Sequence, residues 1–159
     1  MTDKKVIVVI DDEKDLAALI RDILIQSQGY EVHLAYDGIT GKELVFSLRP
    51  DLVLSDLVMP QIKGDQLIKE IRSNPETKHI PIILMSGLGE LTLFQHHEKT
   101  KWNAQVDPDL SQDYNEKVVI SEYNIKEIAR ALGVQGFLTK PFDFKTLVDT
   151  IAQAMRSAQ

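Results

Sequence analysis

Apolar and polar positions follow two rhythms along this chain. Val6 to Ile10 is an unbroken β-branched run, the composition of a strand covered on both faces, and it stops at Asp11-Asp12-Glu13. Leu16, Leu19, Ile20, Ile23 and Leu24 then recur at helical spacing until Gly29, a stop signal. Tyr30 to Ala35 places Glu31 and His33 between apolar neighbours, which predicts a strand with one exposed face, and Gly38 to Leu48 predicts a second helix. Pro50-Asp51 introduces a third strand, Leu52 to Asp56, after which Met59-Pro60 and Gly64 mark a loop before helical Leu67, Ile68 and Ile71. Pro81 precedes a fourth strand, Ile82 to Ser86. Ile125, Ile128, Ala129 and Leu132 predict a fourth helix, with Asn124 and Glu127 spaced as a capping pair and Gly133 at its end. Gly136 to Lys140 reads as the fifth strand. Pro141-Phe142-Asp143 starts a fifth helix carrying Leu147, Ile151, Ala154 and Met155 on one stripe.

Five strands alternating with five helices predict an α/β fold, a doubly wound five-stranded parallel sheet with right-handed crossovers and helices on both faces. The connection from Ser86 to Gly136 is far longer than the others, which predicts an insertion at about residues 89–123 within a single domain spanning 1–159. The insertion is polar, with His96-His97, Trp102, Pro108 and a short apolar run, Val118 to Ile120. A partner-specific or dimer-modulating element and a tolerated decoration both fit it. Adjacent histidines point apart on either regular element, so His96 and His97 do not form a metal pair. The run Asp107 to Asp113 lacks the glycine and the final glutamate of a calcium loop.

Composition narrows the function. A net charge of −6 and a pI near 5.2 argue against direct nucleic-acid or anionic-membrane binding through bulk charge. The absence of cysteine removes disulfides, thiolate nucleophiles and cysteine-held metals, and suits a reducing compartment. The five apolar residues before Asp11 are too few for a signal-peptide core or a membrane span, so a cytoplasmic protein is expected.

In an open α/β sheet, ligands bind beyond the carboxyl ends of the strands. Those ends carry Asp11-Asp12, Asp56, Ser86 and Lys140-Pro141. Any one of them alone reads as a turn former, a helix cap or a solvated lysine. Together, three carboxylates repel unless a cation neutralises them, and a hard divalent ion such as Mg²⁺, bound through oxygen, meets that need.

These residues resemble the receiver domains of two-component response regulators. The resemblance rests on Val6 to Glu13, on Asp51 to Pro60 with Gly64, on Pro81 to Gly87, and on Gly133 to Phe142, four blocks in the right order at successive strand ends. It implies a flavodoxin-like strand order, 2-1-3-4-5. It makes Asp56 the phosphoacceptor, receiving a phosphoryl group from a sensor histidine kinase or a histidine phosphotransfer protein. Asp11 and Asp12 become the acidic pair that holds Mg²⁺, with Asp56 and the backbone carbonyl of Val58 as further ligands. Lys140 pairs with a phosphoryl oxygen, Ser86 hydrogen-bonds another, and Ser86 and Phe137 match the switch pair. The protein is then a signalling module, not an enzyme on other substrates. It has an unidentified downstream protein target reached through the fourth helix and fifth strand, and a homodimer is left open.

Two positions depart from the family's commoner residues. Val58 and Leu88 stand where the family steers the hydrolytic water, and neither can hydrogen-bond one, so slow self-dephosphorylation is expected. Phe137 lacks a tyrosine's hydroxyl. A haloacid-dehalogenase-like phosphohydrolase is the alternative from another class, but it needs an acid where Val58 stands. A phosphorylation-silent scaffold would be expected to have lost Asp56 or Lys140, and both are present.

Overall fold

The computed structural model describes residues 3–57, 59, 61–62, 64–87 and 130–158. The β-branched and apolar runs form β1 (Val6–Ile10), β2 (Glu31–Ala35), β3 (Leu52–Asp56), β4 (Ile82–Gly87) and β5 (Gly136–Lys140). The periodic segments form α1 (Lys14–Gln28), α2 (Gly38–Leu48), α3 (Gly64–Ser73) and α4 (Phe144–Ser157). All strand pairs are parallel, and the order is β2-β1-β3-β4-β5.

Strand side chains alternate between two cores, as a period of two requires. Val8, Ile10, Val53, Ile82 and Leu84 pack with Val45 of α2 and Leu67, Ile68 and Ile71 of α3. Ile7, Val9, Leu52, Leu54, Ile83 and Met85 pack on the other face with Ala17, Ile20 and Leu24 of α1 and Leu147, Ile151 and Ala154 of α4. Helices therefore cover both faces, and β1, β3 and β4 are buried along nearly their whole length. On the edge strand β2, Glu31 is exposed and Ala35 buried, while His33 is half-buried like its apolar neighbours Val32 and Leu34, so the expected alternation is only partial.

The helix ends follow local rules. Gly29 closes α1 in the left-handed region (φ 68), its N–H donating to Ile25 O. Asp37 caps α2 by accepting from Thr40 N–H, and Asp143 caps α4 by accepting from Thr146 N–H. The final helix therefore begins at Phe144, not within Pro141-Phe142-Asp143, because Asp143 keeps an extended backbone to present its carboxylate to the first turn. Of the expected fourth helix, the turn 130–132 is described, and Gly133 (φ 67) ends it. The insertion at about 89–123, with His96, His97 and Trp102, lies outside the described residues.

Candidate functional site

Parallel pairing sends every strand's carboxyl end to one edge, and the order reverses direction between β1 and β3. The site straddles that reversal, the crevice where open α/β sheets bind ligands. Asp11 follows β1, its N–H donating to Ala35 O at 3.0 Å, so the ladder with β2 carries the chain one residue past Ile10 before it turns. Its side chain is fully buried, and Oδ1 accepts from Glu13 N–H at 2.8 Å. Asp56 ends β3 and is also buried, whereas Asp12 faces solvent. One carboxylate oxygen from each of Asp11, Asp12 and Asp56 lies within 4.8 Å of the others.

Lys140, the last residue of β5, reaches across this edge. Its Nζ is 3.0 Å from Asp11 Oδ2, 3.3 Å from Asp56 Oδ2 and 3.3 Å from Glu13 Oε1. The contact with Asp11 is an ion pair without full hydrogen-bond geometry; those with Asp56 and Glu13 are hydrogen bonds donated by the ammonium. Burial lowers the affinity of Lys140 for its proton, but the close contact with Asp11 and the fields of Asp56 and Asp11 outweigh it, so the amine is held above the ordinary lysine value. Burial pushes the Asp11 carboxyl up, against the opposing effects of Glu13 N–H and Lys140. Three carboxylates thus face the Lys140 ammonium, with Asp12 beside them, and an all-oxygen donor set with excess negative charge fits a hard cation such as Mg²⁺.

Register places the remaining residues. Ser86 of β4 stands opposite Thr139, and Gly87 opposite Lys140, so the serine is at the level of the lysine. Ser86 is buried, its Oγ donating to Gly87 O at 3.1 Å. Phe137 stands opposite Leu84 and packs, half-buried, on the α2/α3 core with Leu132 and Val134. Asp11, Asp12, Asp56, Ser86 and Lys140 therefore gather at one edge, and Phe137 stands in from it on β5. Val58 and Leu88 lie outside the described residues.

Two further residues shape the site. Glu13 contacts Lys140; its signal in sequence is only the third acid of the run after β1. Gly64 starts α3 so close to β3 that a Cβ there would stand 2.7 Å from Asp56 O and 2.9 Å from Leu57 Cα. The sequence marks Gly64 as a loop residue, and only packing reveals that it admits the helix against the backbone of Asp56.

The strand order and the acidic, lysine-closed edge define a class, flavodoxin-like α/β proteins with a cation-attracting strand-end site. Residues 7–107 match the family model described as the response regulator receiver domain, and the chain belongs to that family. It is similar to the sensor histidine kinase TmoS of Ectopseudomonas mendocina, 39% identical over 86 residues, which covers 54% of this chain and 9% of that protein. It is also similar to the DNA-binding dual master transcriptional regulator RpaA of Synechocystis, 26% identical over 150 residues, covering 94% of this chain. The chain spans 48% of that regulator's length, so in both relatives it corresponds to a part. In fold it resembles the chemotaxis response regulator CheY4 of Vibrio cholerae, with a TM-score of 0.68 at 23% identity over 96% of this chain and 99% of that one. Among the described residues no helix is long and apolar enough to cross a membrane.

Proposed function

We propose that the chain is a receiver that accepts a phosphoryl group on Asp56 from a histidine kinase or a histidine phosphotransfer protein, and that the modified site changes a protein-binding surface. The observation that carries this reading is Asp56 itself, a buried strand-end carboxylate grouped with Asp11 and Asp12 and 3.3 Å from the ammonium of Lys140.

An oxygen of Asp56 forms a bond to phosphorus while the phosphorus–nitrogen bond of the phosphohistidine breaks, the imidazole nitrogen leaving with the electron pair. Such a transfer asks the protein for alignment and charge more than for covalent chemistry. Lys140, anchored by Asp11, presents N–H groups to the phosphoryl oxygens. Ser86 exchanges its bond to Gly87 O for one to the phosphoryl group, and the vacated space admits the Phe137 ring. Asp11, Asp12, Asp56 and the Val58 carbonyl would hold Mg²⁺, which when bound neutralises negative charge on the phosphoryl oxygens. Apolar Val58 and Leu88 position no hydrolytic water, so the acyl phosphate decays slowly. The domain extends over 1–159 with the insertion inside it, acts in the cytoplasm, and signals to a downstream protein or a second copy through the surface around Phe137.

Intact mass after incubation with Mg²⁺ and acetyl phosphate tests this. One phosphoryl adduct is expected on the native chain, dependent on Mg²⁺, lost in Asp56→Asn, and persisting after the donor is removed. An unmodified native chain would refute the reading, and rapid loss of the adduct would refute slow decay.

A further inference from the structure

Glu13 occupies the N-cap position of α1, where Ser, Thr, Asp and Asn are favoured because a short side chain can accept from the first turn. The Glu13 backbone does its part, its carbonyl accepting from Ala17 N–H at 2.9 Å, yet its side chain makes no capping bond. The carboxylate turns to Lys140 instead, 3.3 Å away. A local rule is broken at a residue that touches the site, which is where such exceptions concentrate.

An ammonium has three protons to donate. In Lys140 two of them bond Asp56 and Glu13 and the charge pairs with Asp11, so a phosphoryl group arriving on Asp56 meets a lysine already committed to three carboxylates. The three acceptors are not equally replaceable. Asp11 is fully buried and Asp56 is the reacting group, but the Glu13 side chain is 64% exposed, so water takes over its oxygen at small cost. We propose that Glu13 is a positioning residue: it holds Lys140 over Asp56 in the unmodified protein and is the partner released when the phosphoryl group takes its place. It thereby sets the rate of phosphorylation. The proposal rests on Asp56 as the phosphoacceptor.

Glu13→Gln removes the charge, and Glu13→Asp keeps it but shortens the arm and offers α1 a true capping carboxylate. Two readouts are compared, acetyl phosphate-driven adduct formation by intact mass and, in metal-free protein, exchange of the Lys140 ammonium protons with water by lysine ¹⁵N NMR. Both variants are expected to exchange faster at Lys140, to form the adduct about two- to fivefold faster, the range an exposed ion pair supplies, and to keep Asp56→Asn-sensitive labelling. Glu13→Asp is also expected to melt higher than the native chain, which separates Lys140 release from loss of stability. Unchanged ammonium exchange in both variants would overturn the proposal, as would a Glu13→Asp protein that phosphorylates at the native rate, since charge alone would then be responsible. If the native chain takes no phosphoryl group while the ammonium still responds, the phosphoacceptor reading has failed and Glu13 is only an ion-pair partner.

Discussion

Asp11 is buried, ionisable and placed against a lysine, so its protonation state links folding to function. Its carboxyl is raised above the usual aspartate value of 3.8, chiefly by burial. For a group raised by folding, the stabilising contribution is complete below the unfolded value and is lost as pH climbs through the folded one. Above that folded value the ionised Asp11 therefore costs stability, a cost retained for its charge. Asp11→Asn is expected to raise the thermal midpoint at pH 7, with the gain shrinking as acid protonates the native carboxyl. The same substitution is expected to lower Mg²⁺-dependent phosphorylation by about tenfold or more. Thermal melts across pH, alongside adduct formation, check both; a midpoint lowered at pH 7 would contradict the cost assigned to the charge. At this scale the sequence placed Asp11, Asp12, Asp56 and Lys140 at strand ends, and the structure brings them together there. It could not separate a buried Asp11 from an exposed Asp12, because burial is decided by where the chain turns after β1.

At the scale of elements, caps and close approaches set the boundaries. Asp37 and Asp143 are held below the ordinary carboxylate value, first by the backbone N–H groups of Thr40 and Thr146 and then by the hydroxyls of the same threonines. With a depressed folded value, their contribution is present above the unfolded value near 3.8 and is lost as pH falls through the lower folded one. Replacing either with Ala is expected to lower the midpoint by about 2–4 °C at pH 7. The Asn variants keep the cap at neutral pH and flatten the loss of stability in acid, which melts at pH 3 and pH 7 compare directly. Gly64 makes a different demand. Its missing Cβ lets α3 begin against the backbone of Asp56 and Leu57, so Gly64→Ala must move backbone and not a flexible side-chain tip. A cost of about 1–3 kcal/mol is expected in denaturant unfolding. Phosphorylation is expected to slow beyond what stability explains, because the displaced carbonyl belongs to Asp56. Helix existence was readable from periodicity, but the start of α4 was not, since Asp143 serves the helix from outside it.

Across the whole molecule, two cores meet on the sheet and one cation ties down the end remote from the site. Arg72, in the last turn of α3, donates to Lys78 O at 3.0 Å and Ile80 O at 2.7 Å ahead of β4. It also donates to Gly133 O at 3.0 Å and to Gln135 Oε1 at 3.0 Å ahead of β5. The same Gln135 oxygen accepts from Ile82 N–H at 2.8 Å, so one guanidinium aligns the starts of both strands whose far ends carry Ser86 and Lys140. Arg72→Ala is expected to cost about 1.5–3 kcal/mol and to speed amide exchange at Ile82 and Gln135 more than in β1; uniform loss of protection would refute a local clamp. Nothing in the spacing of Arg72 and Gln135 announces this link, because it joins residues brought together only by the β4–β5 pairing.

The sequence by itself determined the strands, the helices among the described residues, the doubly wound class and which acids, serine and lysine stand at the strand ends. Each of these rests on local periodicity or on position at a strand end, which short stretches of chain encode. The tertiary structure alone decided that Glu13 turns from its helix to Lys140, that Gly64 stands against Asp56, and that Arg72 spans two strand starts. The Glu13 and Arg72 contacts join segments far apart in sequence, fixed only once parallel pairing has set the register, and the nearby Gly64 contact is fixed only by how α3 packs on β3. The overall acidity of the chain takes its functional meaning there, as Asp11, Asp12, Glu13 and Asp56 are drawn to the edge that Lys140 closes.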